Sequence, residues 1–140
     1  MGEVSAAEVR REAERPMLYF AHDADAASDM KCRKLVRRWG YEGYGRWWRL
    51  CELLAAEHGH RLDMGDADVA GVVADELGMT LEEVSEFVSY LVENSLLKTD
   101  DEGHVWSERM AKNSVLFGKK RAAGRAGGKK SRRKANGQGV

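Results

Sequence analysis

A single proline, two cysteines and no apolar stretch long enough to cross a bilayer set the first limits on this chain. With so little proline, and with many Ala, Leu, Glu and Arg residues, a mostly helical chain is expected. Cys32 and Cys51 lack the paired spacing of a zinc site and stand at apolar positions of expected helices, so they read as buried, reduced thiols of a cytoplasmic protein. No run approaches about 18 apolar residues, and no secretory signal is present, so no membrane association is expected. The chain also lacks a Walker-type loop, a dinucleotide fingerprint and a nucleophile elbow. Gly43-Tyr-Gly45 opens a helix with no strand before it, which is too little for a phosphate cradle. No catalytic residue, cofactor or metal is therefore expected, and the chain does not read as an enzyme.

Acidic residues are absent from Arg109 onward, where eleven Lys or Arg stand. The formal net charge of zero conceals this split: residues 1–108 hold 12 basic and 23 acidic residues. An acidic body with a basic tail points first to nucleic acid as the tail's partner. At 140 residues the chain has room for one domain with appendages. The expected divisions are a flexible or helical extension over 1–16, a domain over 17–118, and a basic, Gly-rich, disordered tail over 119–140.

What is present is clearest from Asp66 to Trp106. Asp66 is placed to cap a helix whose Val69, Val72, Val73 and Leu77 share a face, and Gly78 suits a left-handed C-terminal residue. Thr80-Leu-Glu-Glu83 has the pattern of a capping box, with Met79 and Val84 spaced as a hydrophobic staple. Val84, Phe87, Val88, Leu91 and Val92 then recur at helical spacing. Beyond Ser95 the period changes. Leu96–Thr99 and His104–Trp106 read as strands around the Asp100-Asp-Glu-Gly103 turn, and His60–Met64 alternates as a third strand. Helix, tight turn, helix and hairpin make a winged helix-turn-helix with a small three-stranded antiparallel sheet.

Upstream, Met17–Phe20 suits an extended segment packed on the domain. A helix over Asp29–Trp39 buries Cys32, Leu35, Val36 and Trp39, and a second over Tyr44–Glu57 carries Tyr44, Trp47, Trp48, Cys51 and Leu54 as an aromatic core seam. Trp47 and Trp48 are adjacent and cannot both point inward. His22, Asp23, Asp25 and Asp29 have some likeness to a metal cluster, but such residues before a helix are more simply turn and capping material. Ser107 caps a last helix with Met110, Ala111, Ser114 and Phe117 along one side.

The second motif helix would normally enter the major groove. Here it carries Glu82, Glu83, Glu86 and Glu93 and no cation between Thr80 and Asn94, so phosphate would be repelled. DNA contact is expected instead from Lys112, Lys119, Lys120, Arg121, Arg125, Lys129, Lys130, Arg132, Arg133 and Lys134. A secondary contact is expected at Lys31, Lys34, Arg37 and Arg38. The acidic helices are left for self-assembly or protein partners. The alternatives are a transcriptional regulator reading bases through Ser85, Ser89 and Tyr90, or an interaction adaptor without DNA binding.

The pattern Tyr19-Phe-x-His22-Asp23-x-Asp25-Ala-x-Ser-Asp29-x-Lys31, followed by Gly43-Tyr-Gly-x-Trp47-Trp, Cys51-Glu-Leu-Leu, the Asp100–Gly103 turn and Trp106-Ser107-x-x-Met110, resembles the N-terminal domain of phage-type replication initiators. That domain is similar to the winged-helix oligomerisation domain of DnaD-like primosome proteins. The resemblance covers about residues 17 to 125. It implies a non-enzymatic replication initiation or accessory protein of a phage or mobile element in a bacterial cell. Such a protein binds DNA, forms homo-oligomers and helps recruit a replicative helicase or its loader. Longer members continue into a C-terminal domain, which is either missing here or lies beyond a fragment.

Overall fold

The computed structural model describes the backbone of residues 4–138 and the side chains of residues 4–127. Five helices and three short strands follow in order: α1 (Ala6–Glu14), α2 (Met30–Ala56), β1 (Leu62–Asp63), α3 (Ala67–Leu77), α4 (Leu81–Glu93), β2 (Lys98–Thr99), β3 (His104–Trp106) and α5 (Glu108–Gln138). The fold is mostly α with one small antiparallel sheet, as expected. Its strand order is β1-β3-β2, with Leu62 opposite Val105, Lys98 opposite Trp106 and Thr99 opposite Val105. Placing β3 between the other two gives its central Val105 a partner on each side and lets that side chain enter the core.

The helix-turn-helix is built by its caps. The Asp66 carboxylate accepts from the N–H groups of Asp68 and Val69 at 2.8 and 3.3 Å, satisfying donors that the first turn leaves free. Gly78 takes the left-handed conformation (φ 65°, ψ 39°) and ends α3. Two residues later the Thr80 hydroxyl accepts from the Glu83 N–H at 3.1 Å, and the Glu83 carboxylate accepts from the Thr80 N–H at 3.2 Å. Met79 and Val84 are both buried beside this box. From α2, the Arg46 guanidinium reaches the Leu77 carbonyl at 2.8 Å and so binds the turn to the central helix. On α3 the inner stripe is Val73, Ala74 and Leu77, with Val69 half-buried, whereas Val72 is 60% exposed. The expected stripe was therefore turned slightly too far toward Val72, because Val and Ala alternate around this helix and its period alone does not choose between them.

The two expected N-terminal helices are one kinked helix. Gly40 interrupts α2 with φ 72° and ψ −177°, a conformation open mainly to glycine, and the chain resumes helix at once instead of waiting until Tyr44. Leu35 from the first arm and Leu50 and Leu54 from the second are fully buried with Val73, Val84, Phe87, Leu91, Leu97 and Val105. Trp47 belongs to this core, while Trp48 is half-buried at its edge. Of the Met17–Phe20 segment, Met17 is buried and donates its N–H to the Ala55 carbonyl at 2.8 Å, but Leu18 is 93% exposed.

Residues 119–138, expected as tail, continue α5 as helical backbone. Ser107 caps the helix by accepting from the Met110 N–H at 3.2 Å. The buried positions are Met110, Ser114, Gly118 and Ala122, four residues apart, so the inner side runs past Phe117 to a seam of small residues. That seam seats α1. A Cβ on Gly118 would lie 2.7 Å from the Val9 carbonyl oxygen and 2.8 Å from the Ala13 Cβ, so only glycine allows this crossing. Packing on α1 holds the helix through Ala122. Beyond that, the sequence supplies Ala, Lys and Arg propensity without an apolar period, which is marginal support for a helix on its own. No helix among the described residues is long and apolar enough to cross a membrane.

Replacing Thr80 with Ala should lower unfolding stability by about 1 kcal/mol in urea titrations, the usual cost of a lost N-cap. The further loss from Glu83→Ala should be smaller in the Thr80→Ala background than in the native one, because the two side chains act on one turn.

Candidate nucleic-acid interface

Charge is sorted by element. Between Arg61 and Lys98 no Lys or Arg occurs, and nine Asp or Glu fall on β1, α3, α4 and their joints. Glu82, Glu83, Glu86 and Glu93 are exposed, as are Ser85 and Ser89. Tyr90 is half-buried, in edge contact with Trp39 at 6.1 Å, so it stands partly inside the fold. The β2–β3 turn adds three carboxylates. Asp100 is occupied locally, accepting from the N–H groups of Glu102 and His104 at 3.0 Å each. Partial desolvation pushes its carboxyl upward, but those two N–H groups and the His104 ring outweigh it and hold the group below the ordinary carboxylate value. The helix-turn-helix and wing thus carry mostly carboxylates, although Arg49 pairs with Glu76, Arg61 stands 3.9 Å from Asp100, and Lys98 lies on β2.

The expected DNA-contacting cations divide into three sets. Lys112, Lys119 and Lys120 project into solvent from α5. Arg121 and Arg125 turn instead toward α1. Arg121 donates to the Glu12 carbonyl at 3.3 Å, and Arg125 pairs with the Glu12 carboxylate, which also accepts from Arg15 at 2.9 Å. Glu12 is 3% exposed. The Arg15 hydrogen bond, working against desolvation and helped by the charges of Arg125 and Arg121, holds its carboxyl below the ordinary value. Lys129, Lys130, Arg132, Arg133 and Lys134 occupy helical backbone, but their side chains lie outside the described residues.

The secondary set is also split. Lys34, Arg37 and Arg38 are exposed on the first arm of α2, with Arg38 5.1 Å from the Trp39 ring centre. Lys31 faces elsewhere. It donates to the Ser95 carbonyl at 3.2 Å and lines a cavity of about 370 Å³ between α2, the start of α5 and the Phe20–Asp29 segment. Lys98, Arg109 and Lys112 line the same cavity. Sequence reading named Lys31 and Lys112 separately and missed Lys98 and Arg109 as their companions. Only the fold brings together residues 64 to 86 positions apart, such as Lys31 with Ser95 and Asp23 with Arg109.

The His22–Asp29 stretch has structural employment. Asp23 pairs with Arg109, and His22 stacks on Trp48 with ring centres 3.6 Å apart and planes at 11°. Among the described residues no group of three or more His, Cys, Asp or Glu is placed to hold a metal ion. Cys32 and Cys51 are both buried, and burial raises both thiols above their ordinary value. His60, also buried, donates from Nε2 to the Arg15 carbonyl at 2.9 Å and so ties the end of α1 to the approach to β1. Burial lowers its basicity against the opposing effect of that bond.

Because the folded Glu12 carboxyl lies below its unfolded value, its contribution is present above the ordinary carboxylate range and is lost as pH falls through the folded value. Native protein should therefore melt higher than Glu12→Gln at about pH 7, and the gap should narrow toward about pH 3. Parallel thermal melts across that range measure it, and a gap that does not change with pH would remove the carboxylate's role.

A family model described as Lin1244/Lin1753-like, N-terminal, matches residues 19–110, from Tyr19 to the first turn of α5, and the chain belongs to that family. No curated protein and no solved structure matches it.

Proposed function

We propose that this member of the Lin1244/Lin1753-like family is a DNA-replication initiation or accessory protein of phage or mobile-element type. In this reading α5 holds DNA through its phosphates, while the winged helix makes protein contacts. The observation that carries the division of labour is the segregation of charge: nine carboxylates and no cation from Leu62 to Leu97, against eleven cations and no carboxylate from Arg109 onward. Bringing the α4 face against a duplex would place carboxylates beside phosphates with no counterion released. An α5 helix rich in Lys and Arg gains from the same contact. The phosphate-binding residues in this reading are Lys112, Lys119 and Lys120, with the five cations from Lys129 to Lys134. Contacts of this kind position the protein without reading sequence.

The replication assignment itself rests on the motif order from Tyr19 to Met110, which resembles that of the N-terminal domain of phage-type replication initiators. The acidic α3–α4 surface is then the part that binds a second copy, or a helicase or its loader. The protein acts in the bacterial cytoplasm and is not an enzyme.

A chain cut at Phe117 would lose Gly118 and Ala122 and unseat α1, so charge neutralisation within the full chain is the cleaner test. Binding to a fluorescent duplex should weaken by orders of magnitude between about 50 and 200 mM salt. Changing Lys119, Lys120, Lys129 and Lys130 to Gln should flatten the salt dependence by about one unit of log–log slope for each phosphate contact removed. Unchanged binding after neutralisation would place the DNA contact on the winged helix and favour a regulator. No binding by either protein would favour an interaction adaptor.

A further inference from the structure

The cavity lined by Lys31, Lys98, Arg109 and Lys112 has an aromatic and thiol interior: Phe20, Trp47, Trp48, Cys32 and Cys51. Phe20 and Trp48 are nearly parallel, with centres 6.0 Å apart and planes at 12°, and His22 lies flat on Trp48 as well. Three rings from two separate segments therefore share one orientation at the protein's edge. Two carboxylates, Asp29 and Glu108, also line the cavity, and Glu108 stands 4.0 Å from Lys98. Asp23 pairs with Arg109, so Lys31 and Lys112 are the rim cations without a carboxylate in ion-pair distance among the described residues. A ligand that fits is flat and apolar on its faces and is attached to an anion.

We propose that this cavity takes one unpaired base of single-stranded DNA and so gives the protein a preference for single strands. This rests on the DNA-binding reading above and names the form of DNA bound. The base lies against Phe20 and Trp48, which line the cavity. The flanking phosphates follow Lys112 and then Lys119 and Lys120, all on one side of α5. Lys112 and Lys120 are separated by about 12 Å along the helix axis, so the positive track continues directly from the cavity mouth. A base within a duplex is already stacked and paired and does not reach such a recess, whereas stacking on aromatic side chains is the common means of holding single strands.

Fluorescence anisotropy with the full chain tests this, using a short labelled oligothymidylate, an abasic strand of equal length, and a duplex of the same length. The abasic strand keeps the phosphates and removes only the bases. Oligothymidylate should bind about fivefold or more tighter than the abasic strand, as expected for one stacked base, and tighter than the duplex. Trp48→Leu, which keeps an apolar side chain in place, should erase that difference and leave salt-dependent binding of the abasic strand intact. Equal binding of the thymidylate and abasic strands overturns the base site and leaves the phosphate-binding reading standing. Tighter binding to the duplex also overturns it, as does a thymidylate preference that survives in folded Trp48→Leu. If none of the three DNAs binds, the DNA reading itself fails and this proposal falls with it.

Discussion

Burial of one stripe along α2 is the constraint on which the rest of the fold depends. Leu35, Trp47, Leu50, Cys51 and Leu54 lie along it, and Val73, Leu77, Phe87 and Leu91 from the helix-turn-helix close over it. Each such side chain contributes on the order of 1.5–3 kcal/mol when fully removed from water. The helix must bend to share one core between its two arms, and the left-handed Gly40 allows this without ending the helix. Arg46 adds direction to an otherwise nondirectional contact. By donating to the last carbonyls of α3, it fixes where the motif turn sits on α2.

The separation of charge between α4 and α5 suits the proposed division between two partners. In that reading, exposed carboxylates on α4 would keep DNA off a protein-binding surface, and cations on α5 would attract phosphate from a distance set by the salt concentration. Helix α1 moderates the second effect. It neutralises part of the α5 charge through Glu12, so the formal count of cations overstates the charge that α5 presents. The buried Glu12 carboxylate costs desolvation, and its pair with Arg125 offsets part of that cost across the α1–α5 contact.

Much of the fold was legible because it is locally encoded. Asp66, Gly78 and the Thr80–Glu83 pair announce helix ends within four residues, and the Asp100–Gly103 turn carries its own chemistry. The alternation of Leu62 and Met64 also sufficed to find β1. Elements depending on distant partners were less legible. The seam that extends α5 past Phe117 is recognisable only once α1 is known to lie on it. Ala74 is preferred to Val72 as a buried residue because of where α2 and α4 sit, not because of hydrophobicity. The candidate site was readable as cations and aromatics in separate stretches. Their convergence was not, since Arg121 meets Glu12 across 109 residues and no periodicity reports a contact of that span. Trp48 is the intermediate case: the doubled Trp signalled that one ring must face outward, and only the fold showed that it meets His22 and Phe20.

The crossing of α1 over Gly118 has a kinetic and thermodynamic consequence. Helix α1 is tied to its seat by the chain that leads to α2, so its docking is unimolecular. Short flexible tethers hold a segment at an effective concentration in the millimolar range. A free helix from another molecule, even one of matching shape, must approach that concentration before it competes for the Ser114–Gly118–Ala122 seam. At ordinary protein concentrations the seam is closed from within, and a second copy does not displace α1 from it.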